Sequence, residues 1–251
     1  MGVYFKPSLY IKGIGCILIL SCQIYATQVQ TIMDDVESML RAESQHAKIQ
    51  MIIKTKKWER KVRLESWSKG VDYSLIRILG PKRDRGITFL KRYQEMWQYI
   101  PKIERRIKIP TSMMMQSWMG SDFTNDDLVK DASYTDDFKA KLIETTPDTY
   151  RVELIPYDHA PVKWGKIIID ISRRYKLPVV QVFYDEFGEI VRKMTMENIK
   201  KVGNRWVAHR IQVIPLTKEG SSTTMTFEMV KHNIKLSPSQ FSLQALERKS
   251  R

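Results

Sequence analysis

Thr224-Met225-Thr226-Phe227-Glu228-Met229 alternates polar and apolar residues one by one. That is the period of a strand whose successive side chains point to opposite faces of a sheet. Ile103, Ile107 and Ile109 alternate in the same way with Glu104, Arg106 and Lys108. Reading outward from these two stretches predicts strands near 46–56, 58–68, 71–79, 86–92, 95–100 and 102–109. A second set follows near 150–155, 164–172, 178–185, 189–199, 206–215 and 222–231. Turn signals separate them, among them Lys69-Gly70, Gly80-Pro81, Leu177-Pro178, Phe187-Gly188, Gly203-Asn204 and Glu219-Gly220. Connections this short join neighbours as antiparallel hairpins, because a parallel crossover needs about a dozen residues or more.

One stretch ahead of the strands has a helical period. Val29, Ile32, Met33, Val36, Met39 and Leu40 recur at intervals of three and four with Asp34, Asp35, Glu37 and Ser38 between them, which predicts an amphipathic helix over 29–42. Several strands are apolar on both faces: Leu75, Ile76, Ile78 and Leu79 in one, Ile167, Ile168, Ile169 and Ile171 in another. A sheet with one solvated face would alternate cleanly, so both faces need cover. The predicted fold is mainly β (α+β): an incomplete, curled antiparallel β-barrel closed by the N-terminal helix and a mid-chain helical lid. No Pro/Ser-rich linker divides the chain, so residues 27–251 are expected to form a single domain.

The composition, with 43% hydrophobic and 28% charged residues over 251 positions, is that of a globular protein with a sizeable core. A formal net charge of +14 draws it to anionic partners. The first 26 residues narrow the choice. Lys6 and Lys12 precede the apolar run Ile14 to Cys22, and Ala26 ends the stretch, which reads as a secretory signal peptide rather than a span of about 20 apolar residues. Residues 1–26 are therefore expected to be removed. Ile19-Leu20-Ser21-Cys22 also resembles a lipoprotein cleavage box, with lipidation at Cys22 the lesser alternative. Both cysteines, Cys16 and Cys22, lie in this segment, so the mature chain has no disulfide, no cysteine-ligated zinc and no thiol nucleophile. Export also argues against nucleic acid as a partner.

The interruption between the two sets of strands is the informative part. Met113, Met114, Met115 and Met119 flank Trp118, and methionine suits irregular or exchangeable apolar surfaces. With Phe123, Trp97 and Tyr99 they are the candidate acyl-chain and lid residues, core filling being the other reading. Thr124 and Asp127 have the spacing of a capping box, which starts a short helix at Asn125. Residues 121–137 carry six aspartates against Lys130, whereas 47–109 carry 18 Lys/Arg against 6 Asp/Glu. The acidic insertion is expected to fold back on that basic region as a lid docked by charge. Its carboxylates lack the spacing of a calcium loop, so no metal site is assigned.

Trp118-Met119-Gly120-Ser121-Asp122-Phe123-Thr124-Asn125-Asp126-Asp127-Leu128 resembles the signature of the bacterial outer-membrane lipoprotein-sorting proteins (LolA/LolB-like), the periplasmic lipoprotein carrier and its membrane-bound acceptor. Trp118, Gly120, Ser121, Asp122, Phe123, Thr124, Asp127 and Leu128 carry the match. Trp164-Gly165-Lys166, Leu177-Pro178, Tyr184-Asp185, Gly188, Trp206 and Phe241 to Arg248 extend it from about Val29 to Arg248. The resemblance implies a half-barrel with an apolar cavity for acyl chains of lipoproteins or other lipids. It also implies a periplasmic location and exchange with an inner-membrane transporter and an outer-membrane acceptor.

No Gly-x-Ser-x-Gly elbow, His-Glu-x-x-His pair or phosphate-binding glycine loop occurs. His46, His159, His209 and His232 are scattered, and Asp158-His159 is the one pair that invites a triad. The expected function is a non-enzymatic lipid or lipoprotein carrier without cofactor. In such a carrier Lys102, Arg105, Arg106 and Lys108 are expected to meet anionic lipid head groups. The alternative is an adaptor with a self-filled core that docks a membrane export machine through its basic face.

Overall fold

The computed structural model describes residues 27–129, 134–160 and 162–248, so the signal-peptide reading, with Cys16, Cys22 and Ala26, lies outside the described residues. A helix over 27–40 (α1) leads into β1 (Ser44–Lys54), β2 (Glu59–Lys69), β3 (Tyr73–Gly80), β4 (Thr88–Arg92), β5 (Glu95–Ile100) and β6 (Arg105–Ile109). After the insertion come β7 (Phe138–Thr145), β8 (Thr149–Pro156), β9 (Lys166–Ser172), β10 (Pro178–Tyr184), β11 (Ile190–Val202), β12 (Arg205–Pro215) and β13 (Ser222–His232). Two short helices, α2 (Asn125–Val129) and α3 (Tyr134–Asp137), lie within the insertion.

The thirteen strands among the described residues form one antiparallel sheet in the order β6-β5-β4-β3-β2-β1-β13-β12-β11-β10-β9-β8-β7. Each hairpin partner is the next strand in sequence except at the centre, where β1 pairs with β13 and joins the two halves of the chain. The free edges, β6 and β7, are consecutive in sequence but do not pair with each other. The sheet is thus a curled barrel left open at one seam, and the insertion connects the two edges of that seam.

Two clusters fill the concave face. Over β7 to β10, α1 presents Val29, Ile32, Met33 and Val36 to Phe138, Val152, Leu154, Ile167, Ile169, Ile171 and Phe183. Arg205 on β12 closes the C-terminal end of α1: its Nη1 donates to the carbonyls of Ser38 (2.5 Å) and Met39 (2.8 Å) and its Nη2 to that of Arg41 (2.5 Å). These carbonyls have no partner within the helix, and a cation suits the negative end of its dipole. Over β1 to β5 and β13, the insertion presents Met114, Trp118 and Phe123 to Ile49, Met51, Leu64, Ile76, Phe89 and Met225.

Besides α3, which no pattern above predicts, the structure differs from the sequence expectation at β7 and at the C-terminal turns. Residues 138–145, expected within the interruption, form the edge strand β7, in which Phe138, Ala140 and Leu142 alternate with Lys139 and Lys141 and pack on the α1 side. The second face of β3 to β5 is covered neither by α1 nor by the insertion. Turns at Pro238–Phe241 and Leu243–Glu247 lay Phe241 and Leu246 over Leu75 and Leu90 on the convex side. Those turns fold as they do because Ser237 and Ser242 accept hydrogen bonds from the amides of Ser239 and Ala245.

Candidate functional site

The insertion folds on itself before it docks. Met119 and Gly120 adopt φ of +54° and +73°, a left-handed turn in which glycine carries no steric cost at the second position. The turn lets the amide of Trp118 donate to the carbonyl of Phe123 (2.8 Å) and that of Ser121 to the carbonyl of Trp118 (2.9 Å). The Ser121 hydroxyl donates to the same Trp118 carbonyl (2.7 Å) and accepts from the amide of Phe123 (3.2 Å). The capping box forms as the spacing predicts: the Thr124 amide donates to Asp127 Oδ2 (2.7 Å) and the Asp127 amide to Thr124 Oγ1 (3.1 Å). Serine, threonine and aspartate therefore stand where the chain needs local acceptors.

Among the described residues, polar links from β11, β13 and β2 dock the 119–127 part of the insertion onto the sheet. Arg192 Nη1 on β11 donates to both carboxylate oxygens of Asp127, at 2.9 and 3.1 Å. Thr223 on β13 donates to Asp122 Oδ2 (2.7 Å) and accepts from the Asp122 amide (2.9 Å). Arg60 on β2 donates to the carbonyl of Met119. The insertion folds back on the 47–109 strands as expected, but the ion pair of Asp127 is not made with that basic region. The partner of Asp127 comes from β11, and Arg60 supplies a donor to a carbonyl rather than an ion pair. A sequence gives the net charge of a segment, but the fold decides which strand lies beneath it.

The candidate acyl-chain residues separate into three groups. Met114, Trp118 and Phe123 are buried, Trp118 to 1% exposure, with the Trp118 and Phe89 rings at 5.3 Å in an edge-on contact. Met119 packs at the border of that cluster and Leu128 beside it. Met113 is exposed and Met115 is partly buried. Trp97 and Tyr99 are not at the lid: both lie on the convex face with Leu75, Leu90, Phe241 and Leu246. Their expected place near the lid is corrected because they alternate with Met96 and Gln98 along β5, and Met96 is the inward residue. On the neighbouring edge strand Arg106 pairs with Glu247 (2.9 Å) and Lys108 with Glu95.

Between α1, the insertion and the strands lies a cavity of about 370 Å³, within the size range of small-ligand sites. Its walls are apolar where the sheet contributes: Ile167, Phe183, Met194, Met196, Ile211 and Phe227. Phe123 and Asp127 come from the insertion, Leu40 and Glu37 from α1 and Tyr134 from α3. Tyr134 donates to Gln181 Oε1 (2.9 Å). Burial, reinforced by the nearby charge of Glu37, pushes its hydroxyl far above the ordinary tyrosine range. Glu37 Oε1 accepts from the amide (2.9 Å) and the hydroxyl (2.8 Å) of Thr135, which ties α1 to α3 across the cavity. A second space of about 220 Å³ lies on the β1 to β3 side and shares Asp127 and Phe227 with the first.

Arg192, Tyr134 and Gln181 escaped the sequence reading. The available signal for Arg192 was a charge in phase with Met194 and Met196 on an inward face. His159 stacks on Tyr157, with ring centres 5.6 Å apart, and His46 bonds to Glu65 at 2.7 Å, so neither stands at the cavity. Among the described residues no group of three His, Cys, Asp or Glu side chains is placed to hold a metal ion, and no helix is long and apolar enough to cross a membrane.

A family model described as an uncharacterized protein matches residues 70–248, well over half of the chain. No curated protein matches. Among solved structures, a DUF1329 family protein from Desulfovibrio piger is 22% identical with a TM-score of 0.79, covering 87% of this chain and 98% of that one. A domain described as an outer membrane lipoprotein-sorting protein, from Vibrio parahaemolyticus, is 20% identical with a TM-score of 0.77 and covers 90% and 99%. A LolA superfamily protein from Nitrosomonas europaea is 20% identical with a TM-score of 0.71 and covers 86% and 98%. At these identities the likeness is one of fold.

Proposed function

We propose, from the premise that this chain belongs to the family whose model spans residues 70–248 and has the LolA-type half-barrel fold, that it is a periplasmic, non-enzymatic carrier. It binds acyl chains of lipoproteins or other lipids in the cavity beneath α1 and the insertion and moves them toward the outer membrane. Residues 1–26 serve as the export signal, and an inner-membrane transporter and an outer-membrane acceptor are the partners such a carrier would meet.

The observation that carries this reading is the cavity itself, about 370 Å³ with a sheet wall of Ile167, Phe183, Met194, Met196, Ile211 and Phe227. Each buried methylene is worth about 0.8 kcal/mol, so a chain that fills such a space binds without any reacting group. A second reading, an adaptor with a self-filled core, is favoured by one feature: the β1 to β5 half of the concave face is already occupied by Trp118 and Met114. Organic extraction of the purified protein followed by mass spectrometry, with titration of a fluorescent fatty acid, tests the choice. A carrier yields lipid and saturable binding at one site. Protein that yields none and binds no acyl probe is the adaptor.

A further inference from the structure

The inner face of a half-barrel built to hold hydrocarbon should hold few charges, since an ion removed from water costs several kcal/mol unless it is paired and hydrogen-bonded. Arg192 is an exception at 4% exposure. One of its three nitrogens, Nη1, is occupied by Asp127. Nε and Nη2 are buried and meet no acceptor among the described residues. The guanidinium instead lies against rings, 4.7 Å from the centre of Phe183, 5.5 Å from Trp164 and 5.9 Å from Phe123. Phe123, Trp164 and Phe183 are walls of the apolar cavity.

On its other side Arg192 lines a separate cleft of about 190 Å³, in which Lys163 and Lys218 are the other cations. Ser117, Ser121 and Thr217 are among the residues that surround it. The carboxylate in its wall, Asp122, already accepts from Thr223. Lys163 Nζ sits 4.4 Å from the Trp164 ring centre, and no ion pair engages Lys163 or Lys218 among the described residues. Phe123 and Trp164 line both the cleft and the apolar cavity, so a cationic compartment and an apolar one share a wall, with Arg192 at the partition.

Resting on the carrier reading, we infer that the ligand is an amphiphile with an alkyl chain and an anionic head, a carboxylate or a phosphate monoester. The head takes the free Nε and Nη2 donors of Arg192 with Lys163 and Lys218 around it, and the alkyl chain enters the cavity past Phe123 and Trp164. A planar guanidinium edge offering two N–H groups fits two oxygens of one anion. That contact would satisfy donors that otherwise remain buried and unmet. A neutral head would leave them so.

Calorimetric titration with dodecanoate, dodecyl phosphate, dodecanol and inorganic phosphate tests this on the full mature protein. The expected result is that the two anionic dodecyl probes bind at least about tenfold more tightly than dodecanol, which is roughly 1.4 kcal/mol. Inorganic phosphate alone should bind far more weakly than dodecyl phosphate. Lys163→Gln with Lys218→Gln, both at exposed positions, should weaken dodecanoate several-fold more than dodecanol. Arg192→Met should abolish the preference for the anion where it folds. Equal affinity for dodecanol and dodecanoate overturns the head-group assignment and leaves the carrier reading intact. Inorganic phosphate that binds as tightly as dodecyl phosphate makes the cleft a free-anion site and also overturns it. Failure of every dodecyl probe overturns both readings.

Discussion

Asp127 and Arg192 face each other across the boundary between insertion and sheet, with one guanidinium nitrogen held by both carboxylate oxygens. The arginine side chain is 5% exposed and the aspartate 20%, so the pair is partly dehydrated and salt screens it less than it would a surface pair. Asp127 also receives the Thr124 amide at the start of α2. The same residue therefore caps its own helix and fastens it to β11.

Removing one member of such a pair leaves the other charge buried and unmatched. Asp127→Asn is expected to lower stability by about 3 kcal/mol, the low end for a broken buried pair, since Asp127 keeps some water. Adding Arg192→Met should restore much of that loss, because the charge is then gone from both sides. Urea unfolding of the two single variants and the double variant measures the coupling. Additive losses would mean that the pair does not fasten the insertion.

Trp118 is buried against Phe89 in the concave core, and its Nε1 meets no acceptor among the described residues. Trp118→Ala should therefore cost about 3–5 kcal/mol, as for aromatic truncation in packed interiors. Trp118→Phe loses volume but no hydrogen bond and should cost much less. Thermal unfolding separates them. Equal losses would show that the indole nitrogen matters, whereas negligible losses would return Trp118 to the cavity wall.

The half-barrel was legible because its evidence is local. Period-two runs such as Met225-Thr226-Phe227 need only the pleat to be read, and the Thr124 and Asp127 capping box is a four-residue statement. What stayed hidden depends on which segments become neighbours. Trp97 and Tyr99 look like lid aromatics until β5 is seen to turn Met96 inward. The basic 47–109 region does seat the insertion, yet the cation that meets Asp127 comes from β11. The C-terminal cover could not be paired with β3 to β5 from sequence, since Phe241 and Leu75 are far apart in the chain. Arg192 is hidden for a different reason: apolar periodicity marks the inward face of a strand but does not mark a charge that falls within it.

Phe241 lies at 3% exposure with its ring centre 5.6 Å from that of Tyr73, and it holds short turns rather than a regular element. Phe241→Ala should release 238–247 as a local unit, giving rapid hydrogen exchange and protease cleavage there. Exchange in the insertion, on the opposite face, should not change. Faster exchange in both would mean that the convex cover and the cavity are one cooperative unit.

His232 ends β13, and its Nδ1 is buried without an acceptor among the described residues. Desolvation, with the charge of Arg205 adding to it, lowers its pKa from the ordinary 6.5. In the unfolded chain the imidazole takes its proton near pH 6.5; in the folded one it does so only at lower pH. Between those two values the unfolded state binds more protons, so stability rises with pH there. The contribution is present above pH 6.5 and is lost as pH falls through the folded value. His232→Gln cannot take up that proton, so its stability should fall less than the wild type's on acidification through this window. Urea unfolding of both proteins at a series of pH values from neutral downward reads the difference directly. Parallel pH profiles for the two would show that another group causes the acid sensitivity and that the imidazole of His232 titrates alike in both states.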